Sequence, residues 1–226
     1  MIARSVSISP GLKEKYLGIK FGFLFVENVN VKKNNPNVET LRKQVEEEVR
    51  KRDYKFYLED KNVVSWINQF KNMGLNPKEI MPAQIAMIKR ICMGREIPNI
   101  NTIVDLANIM ACKSKLPVGS FDLDKISGNI VLRISKRGEK YLPLFEVTEE
   151  EVPEGEIVYA DDEKIFSRYS KDCDITKITS DTKNAFFVID GTKDVSSGEI
   201  LKYLNGLEIL IKEILNARIV RKEIVE

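Results

Sequence analysis

An α+β fold is predicted by three patterns in the 226 residues. Residues 18–31 alternate, with Phe21, Phe23, Phe25, Val29 and Val31 in register, as a half-buried strand does. Four segments between residues 38 and 114 repeat apolar residues at helical spacing. Beyond residue 129, short apolar runs bounded by turn residues read as strands, and one long helical pattern follows them.

Taken in order, residues 5–8 suit a short strand and Pro10 is placed to open a brief helix. After a polar break at 32–36, residues 38–52 present Leu41, Val45 and Val49 on one face and charges on the rest, an amphipathic helix. Trp66, Ile67, Phe70 and Met73 mark a helix over 63–73 that Gly74 stops. A further helix over 82–93 opens at Pro82 and ends at Gly94, with Ile85, Ile88 and Ile91 inward and Lys89 and Arg90 outward.

The next helix takes Asn101 or Thr102 as N-cap, carries Ile103, Leu106, Ala107 and Met110, and ends before Pro117, which lacks the N–H to continue it. It hands over to a polar loop in which Gly119 permits positive φ and Asp122, Asp124 and Lys125 precede Gly128. An acidic turn there either caps local backbone donors or faces a substrate. Strands are expected at 130–134, 141–145, 156–160 and 185–189, and Ser196 caps a closing helix with Ile200, Leu204, Leu207, Ile211 and Leu215 on its apolar face.

Composition excludes several classes. With 36 basic against 34 acidic residues the net charge is +2, so any contact with nucleic acid comes from local patches and not from bulk charge. The chain contains no histidine, which removes Ser-His-Asp and Cys-His catalysis and histidine-bearing zinc sites. Cys92, Cys112 and Cys173 are scattered and odd in number, as free thiols of a reducing compartment are, and no apolar run reaches the roughly 18 residues that span a bilayer. A cytoplasmic location, no membrane contact, no metal and no cofactor are the expectations.

Motifs narrow the field further. No Walker A loop and no Gly-x-Gly-x-x-Gly after a strand is present. Asp122-Leu-Asp124 opens like a calcium loop, but Ile126 and Ser127 stand where a ligand and a glycine are required. Residues 172–182 concentrate carboxylates and hydroxyls ahead of a buried strand, where loops line pockets or stabilise turns: Asp174 is placed to orient water, and Thr176, Thr179 and Thr182 to offer hydrogen bonds. Cys173 has no histidine to activate it as a nucleophile.

The run Leu116-Pro-Val-Gly-Ser-Phe-Asp-Leu-Asp-Lys-Ile-Ser-Gly128, with Val104-Asp-Leu-Ala-Asn108, Arg133, residues 156–162 and 176–190, resembles the editing module (B3/B4 domain) of the phenylalanyl-tRNA synthetase β subunit. More closely, it resembles free-standing proteins built on that module. The similarity covers roughly residues 82–216, so residues 81–226 form the B3/B4-like part and 1–80 an extension packed on it. The resemblance implies a mixed β-sheet flanked by helices. It also implies hydrolysis of an amino acid wrongly attached to tRNA, with the aminoacylated 3′ end of tRNA as partner. An activated ester yields to positioned water and donors to the oxyanion without a covalent nucleophile, so a histidine-free site suffices.

By the same resemblance Asp174 orients the water, and Asn108, Ser114, Thr176 and Asp190 contact the pocket or the terminal adenosine. Basic residues Lys89, Arg90, Arg95, Lys113 and Lys115 approach phosphates. Gly119 stands where the bacterial module carries a histidine. That departure keeps two alternatives open: a non-catalytic RNA-binding or assembly module, and an esterase or amidase for small aminoacyl compounds.

Overall fold

The computed structural model describes residues 4–226. Ten strands run in chain order as β1 (Val6–Ile8), β2 (Lys20–Glu27), β3 (Val118–Asp122), β4 (Ile130–Ile134), β5 (Lys140–Tyr141), β6 (Glu150–Glu151), β7 (Ile157–Ala160), β8 (Ile165–Arg168), β9 (Asn184–Gly191) and β10 (Arg218–Val225). The helices are α1 (Pro10–Lys15), α2 (Pro36–Arg50), α3 (Tyr54–Leu58), α4 (Lys61–Asn72), α5 (Ala83–Cys92), α6 (Thr102–Ser114) and α7 (Ser197–Leu210), the last followed by a π-helical turn, Ile211–Leu215.

The expected α+β class holds, as mixed sheets flanked by helices. One four-stranded sheet has the order β1-β4-β7-β8, parallel at β1-β4 and antiparallel elsewhere, and the other, wholly antiparallel, has the order β10-β2-β9-β3. A β5-β6 ribbon forms its own two-stranded sheet, packed on the first through Tyr141 against Val158, Ala160 and Ile165.

Strand β2 explains how the layers stack. The alternation expected to leave one face wet is buried on both: Phe21, Phe23 and Phe25 pack against the β1-β4-β7-β8 sheet with Tyr159, Phe166 and Phe186, while Leu24 and Val26 pack against the helices. The protein is therefore three layers deep: sheet, sheet, helices. At Gly22 a Cβ would stand 2.6 Å from Ile200 Cγ2, so glycine there lets α7 lie against the strand. Residues 1–80 are woven into both sheets, because β1 pairs with β4 and β2 lies between β9 and β10.

Helix ends follow the sequence signals. Asn101 Oδ1 accepts from the Ile103 and Val104 N–H groups, and Ser196 Oγ from Glu199 N–H. The passage after α6 differs from expectation. Residues 118–122 are strand, not loop, and Gly119 has no positive φ; Lys115 (φ 61°) and Gly128 (φ 67°) make the turns at either end. Pairing with β9 extends the chain here, and Gly119 serves packing instead: a Cβ on it would come within 2.8 Å of the Phe121 ring.

Candidate active-site cleft

Parity along β9 sets the chemistry. Phe186 and Val188 face the neighbouring sheet, and Asp190, two residues on, faces the same way at the strand end where the sheets part. Two adjoining cavities open there, of about 100 and 220 Å³, and both are lined by Asn108, Val118, Gly119, Phe121 and Asp172. They are two lobes of one cleft. The first reaches Trp66 of α4, Gln84 of α5 and Asp190; the second lies between α6 and residues 144–145 and 172–178.

Asp190 is buried, and its Oδ1 accepts hydrogen bonds from Tyr159 Oη at 2.6 Å and Tyr169 Oη at 3.0 Å. Oδ2 accepts none from the described residues, and it is not among the buried atoms left without a partner. Desolvation pushes the carboxyl pKa up to about 7, against the pull of the two phenols. Burial and the neighbouring carboxylate raise both tyrosine pKa values, which keeps the phenols protonated as donors. A carboxyl poised near neutrality in a cleft has the properties of a general base.

Strand β3 contributes backbone. It is the edge of its sheet, and the Asp190 N–H binds the Pro117 carbonyl. The alternation of an antiparallel ladder then turns the N–H groups of Val118 and Ser120 away from β9, toward the open edge. Asp122, of the same parity, confirms the direction by donating its N–H to the Thr176 carbonyl at 2.8 Å. No described residue accepts from the N–H of Val118 or Ser120 outside the ladder.

Asp172 is solvent-accessible at the junction of the lobes, and desolvation by the protein around it still raises its pKa; the one hydrogen bond it accepts from a side chain is from Ser167 Oγ, at 3.4 Å. Arg168 also lines the first lobe, but its charge is committed to Glu156 at 2.5 Å, with Tyr141 Oη at 3.0 Å. The cleft therefore offers a cationic group an open carboxylate.

Three atoms of the first lobe's wall carry no hydrogen bond: Trp66 Nε1 and both Oε1 and Nε2 of Gln84, a residue 1% exposed. Each such buried atom costs about 1–3 kcal/mol. Such atoms are met by ordered water or by a bound molecule, and their place in the wall makes these residues candidates for contact with the latter.

The expected site residues divide. Asn108 and Asp190 line the cleft. Ser114 does not: it is fully buried, donating to the Met110 carbonyl and accepting from Leu116 N–H, where it closes α6. Thr176 is equally buried and donates to the Phe166 carbonyl. Asp174 sits off the lining, bound to Lys177 Nζ at 2.7 Å and to Phe145 N–H at 2.9 Å, and these two bonds hold its carboxyl below the usual carboxylate range. Lys177 Nζ also reaches Oδ2, at 2.8 Å, so both oxygens of Asp174 are engaged. The acidic turn and the hydroxyl-rich segment do meet, through Thr182 Oγ1 and Asp122 Oδ2 at 2.7 Å, but that contact ties strands together away from the cleft. Trp66, Gln84 and Asp172 went unmarked as site residues, since nothing in their spacing separates them from helix or turn residues.

Comparison with known proteins gives consistent matches. The model of the B3/4 domain matches residues 65–204. The phenylalanine–tRNA ligase beta subunit of Fusobacterium nucleatum subsp. nucleatum is 39% identical over 88 residues, 38% of this chain and 11% of the relative. That of Aquifex aeolicus is 32% identical over 96 residues, 42% of this chain and 12% of the relative. The matched stretch thus spans little more than a tenth of these relatives. An N-terminal fragment of the phenylalanyl-tRNA synthetase beta subunit from Pyrococcus horikoshii superposes with a TM-score of 0.49 at 14% identity, covering 98% of this chain and 50% of that one.

Proposed function

The chain belongs to the B3/4 domain family, and on that premise we propose that it hydrolyses an aminoacyl ester at the 3′ end of a mischarged tRNA, acting in trans. The observation that carries the reading is the convergence on one cleft of Asp190, with a free oxygen and a pKa near 7, and the unpaired edge of β3. Asp190 takes a proton from a water as that water attacks the ester carbonyl. The carbonyl oxygen, becoming an oxyanion, receives one edge N–H group, that of Val118 or of Ser120, which stand too far apart along the strand to share it, and Asp172 pairs with the α-ammonium group. As the bond to the ribose oxygen breaks, Asp190 returns the proton to that leaving oxygen, giving free amino acid and tRNA.

A panel of mischarged tRNAs tests this. At least one ester is lost faster than its spontaneous hydrolysis; uniform background loss across the panel ends the proposal. Gly119 in place of an imidazole and the engagement of Asp174 with Lys177 favour one second reading, an RNA-binding or assembly module without chemistry. Tight tRNA binding with no turnover selects it. Turnover of aminoacyl compounds lacking RNA, with no preference for tRNA, selects a small aminoacyl esterase instead.

A further inference from the structure

Helix α5 has two working faces. Its first turn, through Ala83 and Met87, lines the cleft; the same two residues also line a second, open groove of about 540 Å³ on the outer side of the helix. The floor of that groove is apolar, from Ala86, Met93 and Pro98 among others, and Met93 is 66% exposed. Its charged lining residues are Lys89, Arg90 and Arg95, with no carboxylate among them. The chain as a whole is nearly balanced, with 36 basic and 34 acidic residues, so the groove is a local excess of positive charge.

The three cations are held ready for an outside anion. Lys89 Nζ sits over the Tyr54 ring at 5.8 Å and Arg90 spends only Nε, on the Glu96 carbonyl at 2.8 Å. None of the three forms a salt bridge with a described carboxylate. Ala83 and Ala86, three residues apart on the exposed side, leave the helix surface low enough for a chain to lie close along it.

We propose that this groove carries the single-stranded 3′ segment of an RNA, its phosphates on Lys89, Arg90 and Arg95 and its base faces on the methionine floor, so that the terminal nucleotide passes over the first turn of α5 into the cleft. A single-stranded nucleic acid fits because it presents repeating negative charge and flat, unstacked apolar faces together; a duplex hides its bases and an acidic peptide has none. The proposal rests on the aminoacyl-tRNA reading for the identity of the RNA, and deepens it by naming the path the RNA takes.

The test uses the full chain and the double variant Lys89→Glu, Arg95→Glu, which changes exposed side chains only. Lys183→Glu, Lys202→Glu, with the same change in net charge away from the groove, is the control. Fluorescence anisotropy with a labelled seven-nucleotide single-stranded RNA is expected to show at least about tenfold weaker binding for the groove variant and a log–log salt slope shallower by about 1.4, two phosphates' worth. The control binds as the parent does. In hydrolysis assays the groove variant raises KM for aminoacyl-tRNA while its turnover of an aminoacyl-adenosine, which has no phosphate, matches the parent. Equal weakening by the control, unchanged RNA binding by the groove variant, or tighter binding of a hairpin duplex or a polyglutamate peptide than of the single strand overturns the proposal. If RNA binding behaves as expected and no ester is hydrolysed by any variant, the groove stands and the deacylase reading falls.

Discussion

Tyr159 and Asp190 meet across the gap between the two sheets, the phenol donating to Oδ1 at 2.6 Å, with Tyr169 on the same oxygen. The contact leaves one carboxyl oxygen for other work and sets a pH dependence that can be signed. In the unfolded chain this carboxyl titrates at the ordinary 3.8, and in the folded protein at about 7. Its proton is a stabilising ligand of the folded state: the contribution is whole below about pH 4 and is lost as pH rises through about 7. Thermal melts between pH 4.5 and 8.5 are expected to lose stability with rising pH in the parent and to lose less in Asp190→Asn. A parallel pair of profiles refutes the assignment.

Catalysis should run the other way. The base form of Asp190 works, so kcat is expected to climb through pH 7 and level off above it. Removing one donor with Tyr159→Phe leaves the charged form less supported and moves the inflection upward.

The proposed mechanism gives the two aspartates unequal weight. Asp190→Asn is predicted to lower kcat by roughly 10²–10⁴-fold, as loss of a general base does. Asp174→Ala, removing a carboxylate already bound to Lys177 and Phe145 N–H, is predicted to leave kcat within about threefold, because an ion pair of this exposure contributes little. Single-turnover deacylation of the ester identified in the panel decides between them.

Gln84 gives a stability test of a binding role. Leucine of similar size removes both orphaned atoms, a change that is neutral or stabilising when no partner is lost. A gain of about 1 kcal/mol, or roughly 2–4 °C in Tm, is expected. The same variant should weaken substrate capture, seen as a higher KM. A large fall in Tm would show that Gln84 has a structural partner after all.

Gly119 is predicted to resist the obvious reversion. A histidine side chain at this point runs into the Phe121 ring, which a Cβ alone would approach to 2.8 Å, and into Val188 at 3.2 Å. Gly119→His should therefore cost about 1–3 kcal/mol in denaturant unfolding and bring no gain in activity. Phe121→Ala, destabilising by itself, relieves the clash, so a favourable coupling energy in the double-mutant cycle with Gly119→His identifies overpacking as the cause.

Much of the fold was legible because its strongest signals were local. Helix periodicity and caps located α2, α4, α5, α6 and α7 to within a few residues, and the apolar run 185–189 marked β9. What was missed depends on distant partners. Residues 218–225 alternate weakly and lie on a sheet edge, so nothing but pairing with β2 makes them a strand; β8 is four residues long and is defined by β7. The site divides in the same way. Asp190, Ser114 and Thr176 were all reached through the resemblance alone; Asp190 lines the cleft, whereas Ser114 and Thr176 spend their hydroxyls on carbonyls. Trp66 and Gln84 were readable as core helix residues only, because an orphaned polar atom exists only once the neighbours are in place.

Strand β2, from near the beginning of the chain, is held between β9 and β10 from its far end. A ribosome making this polypeptide releases β9 and its acidic residue long after β2, and the strand that seals the opposite flank of β2 later still. The cleft is thus among the last of these parts to assemble, and β2 waits with both edges unpaired until its two partners have been made.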